Sequence, residues 1–154
     1  GKLALQDGLS LEAAFAQPSG ITTSGLQLII ADASSSAIRL VRLIDGRVTT
    51  LVGSGLYEFG DASGNRDSAR LQNPLDVAMD PRGIVFIADS YNGKIKALSL
   101  KSGAVRALNV NYRLLEPGGL SIGAGALWLA NTNAHEIVRI DLASGVGKRV
   151  PIGE

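Results

Sequence analysis

Short apolar runs separated by turn signals recur along the whole 154-residue chain. The fullest stretch begins at Asn73-Pro74. Proline fixes its own φ and steers the residue before it towards extended geometry, so this pair predicts a turn. Val77-Ala78-Met79 is a short apolar run, and Asp80-Pro81-Arg82-Gly83 is a turn in which Pro presets φ and Gly supplies a positive φ. Ile84 to Ala88 is β-branched and aromatic, bounded by turns, and reads as a buried strand. After Asp89-Ser90-Tyr91-Asn92-Gly93 comes a third strand, Ile95 to Leu100. Past Lys101-Ser102-Gly103 comes a fourth, Val105 to Val110. Four short strands joined by tight turns predict an antiparallel meander.

The same grammar occurs twice more. Upstream stand Gln17-Pro18-Ser19-Gly20-Ile21, then Leu28 to Asp32, Ile38 to Leu43 and Val48 to Val52. Downstream stand Glu116-Pro117-Gly118-Gly119-Leu120, then Leu127 to Asn131, Ile137 to Leu142 and a weaker run near Val146 to Val150. Ala88 and Ala130 are 42 residues apart; Ala31 and Ala88 are 57 apart, which becomes 42 once the 15 residues Ser54 to Ser68 are set aside as an insertion. A period of about 40–50 with four strands per unit predicts an all-β propeller of four-stranded antiparallel blades, three per chain. The division is a lead-in at 1–16, a first blade at 17–53, an inserted loop at 54–68, a second blade at 69–113, and a third blade with the tail at 114–154. Within the lead-in, Leu3 to Leu5 reads as a short strand, Leu9 to Ala16 carries helix formers, and Phe15 is expected under the first blade. Ile29, Phe86 and Trp128 stand two residues before Ala31, Ala88 and Ala130, so they are expected to pack between blades, Trp128 included.

Ala88-Asp89-Ser90-Tyr91-Asn92-Gly93-Lys94-Ile95-Lys96 resembles the NHL repeat; Ala130 to Ile137 follows with Asn for Asp, and Ala31 to Arg39 is looser. The loop Gly55-Leu56-Tyr57-Glu58-Phe59-Gly60-Asp61, leading into Ala69 to Pro74, is similar to NHL propellers that follow a thioredoxin-like domain. The resemblance spans about residues 14 to 150 and implies a propeller.

Composition narrows the chemistry. With 15 Lys+Arg against 14 Asp+Glu, the charge balance argues against a nucleic-acid partner. The absence of Cys removes disulfides, thiol nucleophiles and thiolate-bound zinc. No apolar run has the length of a membrane-spanning helix, so no membrane partner is expected. No dinucleotide, P-loop or serine-hydrolase motif occurs, and no cofactor is expected.

Asp32, Asp89 and Asn131 are the most regular polar positions. Repetition marks scaffold, and their side chains are expected to bond the backbone of their turns. His135 is the only histidine and reads as a surface turn residue. NHL-type amidating lyases use a His-ligated zinc that one histidine does not assemble. Asp61-x-Ser63-x-Asn65-x-Asp67 alternates oxygen ligands, but its glycine is misplaced for a calcium loop, and no metal site is assigned. The loop 54–68 departs from the repeat, and loops carry function more often than scaffold does; Tyr57, Glu58, Phe59, Asp61 and Asp67 are the candidate binding residues.

These features point to a non-catalytic NHL-type scaffold that binds a protein or ligand through a channel mouth and the loop 54–68. The alternative is a metal-dependent, lactonase-like hydrolase using channel Asp, Asn and Glu ligands. A third reading is RNA binding by Arg39, Arg42, Lys94, Lys96 and Arg139, set against solvated edge charge. Propellers close with four to eight blades, so three predict a homodimer forming one six-bladed ring; the alternative is that this chain is a piece of a longer single-chain propeller.

Overall fold

The computed structural model describes residues 2–152. Its first sheet consists of β1 (Pro18–Ser24), β2 (Gln27–Asp32), β3 (Ala37–Arg42) and β4 (Arg47–Val52). The second consists of β5 (Pro74–Met79), β6 (Ile84–Asp89), β7 (Lys94–Ser99) and β8 (Val105–Ala107). The third consists of β9 (Pro117–Gly123), β10 (Ala126–Asn131), β11 (Glu136–Asp141) and β12 (Gly147–Arg149). Each is a four-stranded antiparallel meander in chain order. The innermost strands β1, β5 and β9 lie side by side, as blades around a channel require.

The core lies between the blades because alternate side chains along a strand point to opposite faces. Ile29, Ala31 and Ile38 of blade 1 meet Val77, Val85, Ile87 and Leu98 of blade 2. Phe86, Ile95 and Ala97, on the other face of blade 2, meet Leu127, Leu129, Val138 and Ile140 of blade 3. Ile29 and Phe86 thus fill the seams the spacing assigned to them. Trp128 does not: it is half-buried, on the outer face of blade 3, with Arg139 over its ring at 6.0 Å and its Nε1 donating to Gly123 O at 3.2 Å. The reason is positional, since its face looks away from blade 2 and, among the described residues, no blade packs against it.

The loop 54–68 has a counterpart that spacing alone conceals. Gly64 and Val105 exchange both backbone hydrogen bonds, and so do Gly8 and Val48. Ala62 pairs with Arg70 as Gln6 pairs with Ala14. Ala69 N donates to Asn65 O at 2.9 Å and Ala13 N to Leu9 O at 3.0 Å. Residues 4–16 and 60–72 are two copies of one structural unit, each laid along its blade's outermost strand. The lead-in accordingly forms no strand at Leu3 to Leu5 and only a single turn after Leu9. Blade 3 has a shorter connector instead: Asn111 N donates to Gly145 O at 2.9 Å, and Tyr112 packs against the bare Cα of Gly147.

Asn73 and Glu116, each preceding a proline, have φ of 49° and 45°. The expected extended geometry gives way to the left-handed region, which costs about 1–2 kcal/mol for a non-glycine residue. The hydrogen bonds that hold the preceding residues, Gln72 and Leu115, offset that cost.

Candidate functional site

The repeated polar positions tie down the segment that enters their own blade rather than cap their own turns. Asp32, Asp89 and Asn131 precede short 3-10 turns, yet their side chains make no capping bond there. They reach back to the approach segment of their own blade. Asp32 Oδ1 accepts from Gln17 N, Asp89 Oδ1 from Gln72 N, and Asn131 Oδ1 from Leu115 N, each at 2.7 Å. All three side chains are fully buried.

Seven residues after each stands the partner that completes the latch. Arg39 Nη1 lies 3.3 Å from Asp32 Oδ2 and donates to Ala14 O at 3.0 Å. Lys96 Nζ lies 2.9 Å from Asp89 Oδ2 and donates to Arg70 O at 2.5 Å. In blade 3 the cation is replaced by Val138 and the carboxylate by Asn131, whose Nδ2 donates directly to the equivalent carbonyl, Arg113 O, at 3.1 Å. One amide does there what an acid and a base do together in the other blades. Burial pushes the Asp89 carboxyl above its ordinary value, opposed by hydrogen bonds from Gln72, Asn92 and Lys96. Arg39 and Lys96, read at the sequence level as edge charge, are fully buried.

The five candidate loop residues separate. Asp61 pairs with both Lys94 and Lys96, the latter at 3.0 Å. The hydrogen bond from Lys94 holds its carboxyl below the usual range, with Lys96 adding to the effect. Asp67 sits beside Lys101, Ser102 and Gly103, at the other end of β7 from Phe59. Tyr57 and Glu58 are exposed. Phe59 alone lines a cleft, of about 260 Å³, with Leu56, Ser34, Ser36, Gln72, Asn73 and Tyr91. This cleft opens where the 3-10 turns of blades 1 and 2 meet the loop. Phe59 and Tyr91 remain 55% and 62% exposed there. The sequence signal that would have found Tyr91 is its departure from the repeat, since Ser34 and Asn133 occupy the corresponding turns.

A second departure lies on the innermost strands. Gly20, Asp76 and Gly119 are equivalent positions, at or beside the β-bulges of their blades. Asp76 Oδ2 accepts from Leu120 N of blade 3 at 2.7 Å. On its other side a Cβ added to Gly20 would overlap the Asp76 carboxylate and Cα. One carboxylate thus ties blade 2 to blade 3 and fits only because blade 1 offers a glycine. Among the described residues, no group of three His, Cys, Asp or Glu is arranged to hold a metal ion.

Comparison with known proteins agrees with this architecture. Residues 71–98, the unit that includes most of blade 2, match the NHL repeat. NHL repeat-containing protein 2 of Homo sapiens is 38% identical over 92% of the chain. The chain is an NHL-repeat β-propeller. This chain spans only 23% of that relative's length. Solved propellers share the fold at low identity. A virginiamycin B lyase from Staphylococcus aureus superposes with a TM-score of 0.63 at 19% identity, over 90% of this chain and 42% of the lyase chain. A chain in a nidogen/laminin complex superposes with a TM-score of 0.68 at 15% identity, over 91% of this chain and 48% of its own. The NHL blades here therefore share a fold with an enzyme and with a chain from a protein–protein complex.

Proposed function

We propose that this chain is a non-catalytic NHL scaffold that binds a protein or ligand at the mouth beside the loop 54–68. The observation that carries this reading is the lining of the cleft between blades 1 and 2. Phe59, Tyr91 and Leu56 present exposed aromatic and aliphatic surface, ringed by the hydroxyl and amide groups of Ser34, Gln72 and Asn73. No carboxylate, imidazole, amine or guanidinium lines it. Such a surface stacks and hydrogen-bonds a ligand without supplying a general acid or base near neutral pH. The carboxylates a hydrolase would draw on are otherwise engaged: Asp32 and Asp89 hold backbone and a cation, and Asp76 holds Leu120 N. The partner chemistry that fits is an extended peptide segment bearing an aromatic or proline side chain.

The test is selection of displayed random peptides on the immobilised chain, followed by anisotropy titration of the selected peptides. A Phe59→Ser/Tyr91→Ser variant copies the small polar residue at position 34 and leaves the core untouched. Support is a tenfold or greater loss of peptide affinity on that variant. Unchanged affinity, or no selected binder, overturns the reading.

A further inference from the structure

Gln17, Asn73 and Glu116 are equivalent positions, each standing just before the proline that opens a blade. Two of them are neutral amides and the third is an acid. Repetition marks scaffold, so the exception is the informative position. Glu116 is exposed, and among the described residues it has no ion-pair partner. Glu58, next to Phe59 in the inserted loop, is likewise exposed and without an ion pair. Neither lines the cleft itself.

Glu116 belongs to blade 3, yet it is held against the turn that presents Tyr91. Ser90 Oγ, in that 3-10 turn, donates to Pro117 O at 2.6 Å. Gly93, which ends the turn, sets its bare Cα against Leu114 O. On the loop side of the same turn, Asn92 Nδ2 donates at 2.7 Å to Gly60 O, one residue after Phe59. One turn therefore fixes a track from Phe59 past Tyr91 to Glu116, with Glu58 adjoining its start. The cations near this track are engaged elsewhere. Lys94 pairs with Asp61, and Lys96 with Asp61 and Asp89. Arg70 turns to Asp67 O and Ala69 O, away from the cleft, and Arg113 is its counterpart in blade 3.

We infer that the peptide held at Phe59 and Tyr91 carries Lys or Arg on both sides of its aromatic or proline residue, one facing Glu58 and one facing Glu116. This deepens the proposed function and rests on it. Packed sheets stand about 10 Å apart, and an extended chain covers that distance in about three residues. The basic residue facing Glu116 therefore lies about three positions from the aromatic or proline. Exposed ion pairs are weak singly, so the two carboxylates act as a selectivity filter beside the aromatic anchor.

The test uses peptides selected on the immobilised chain, resynthesised with Lys, Gln or Glu at the flanking positions and titrated by anisotropy. At low salt the Lys peptides are expected to bind about tenfold tighter than the Glu peptides, with Gln between them. The preference should largely vanish on Glu58→Gln/Glu116→Gln, and also in about 0.5 M salt, which screens exposed charges. Both side chains are exposed, so this variant keeps the fold. Equal affinity for all three flanks, lost on Phe59→Ser/Tyr91→Ser, overturns the inference and leaves the proposed function standing. A Lys preference that survives Glu58→Gln/Glu116→Gln also overturns it, because the charge is then read at another place. Failure to select any peptide overturns the inference and the proposed function together.

Discussion

Lys96 Nζ stands 2.9 Å from Asp89 Oδ2, and both side chains are fully buried. Removing one member of such a pair strands the other in a medium that penalises charge. Lys96→Val should therefore destabilise the fold by about 3–5 kcal/mol. Blade 3 supplies the remedy, because Asn131 with Val138 satisfies the same backbone groups without charge. The double variant Asp89→Asn/Lys96→Val should recover most of the loss in urea unfolding. A double variant as unstable as the single one would show that the amide does not replace the pair.

Gly20 is required by a neighbour rather than by its own φ. Gly20→Ala drives a methyl into Asp76 and should cost about 1–3 kcal/mol, the range for an overpacked site. Asp76→Gly removes the carboxylate but leaves the Cα of residue 76 at 2.4 Å from the added methyl, so it should relieve only part of that cost in the double variant. Thermal melts of the two single variants and the double variant measure the coupling between them.

Phe86 is 3% exposed in the seam between blades 2 and 3. Phe86→Ala should lose about 3–5 kcal/mol by removing the ring and leaving a cavity. Trp128 occupies the equivalent place and is only half-buried, so Trp128→Ala should cost clearly less. Denaturant midpoints of the two variants, compared at equal slope, decide the order.

Acid should loosen the loop at 60–72 through Asp61. The Lys94 hydrogen bond lowers its carboxyl below the ordinary 3.8, so the folded chain binds fewer protons there than the unfolded one. Its contribution is complete above about pH 4 and disappears as pH falls through the lowered folded value. Asp61→Asn should be less stable than the parent near neutrality, and the difference should shrink towards pH 2. Asp89, whose shift has the opposite sign, is present in both proteins and leaves the sign of the comparison unchanged. Unfolding free energies at stepped pH provide the check.

The loop containing Phe59 could be picked out as a departure from the 42-residue spacing, but its geometry could not. Residues 4–16 and 60–72 share few residue types, and their equivalence is a matter of backbone pairing at Gly8–Val48 and Gly64–Val105. Asp67 looked like a neighbour of Phe59 because only eight positions separate them. The chain runs down the outer strand in between, so the two stand at opposite ends of β7. Tyr91 is distant from Phe59 in sequence, and the blade turn brings it to the same cleft.

By itself the sequence determined the blade: strand order, turn positions and the recurrent Asp or Asn follow from local propensity and from a period that has to be read along one chain. It also determined that Ile29 and Phe86 are core, since alternation puts them on a fixed face. Only the tertiary structure decided what each face meets. Trp128 obeys the same alternation as Phe86 and is half-buried because, among the described residues, no blade packs on its face. Arg39 and Lys96 carry the pattern of surface charge and are buried because a returning loop brings carbonyls and carboxylates over them. Burial and pairing depend on contacts between residues far apart in the chain, and those contacts exist only once the blades have packed.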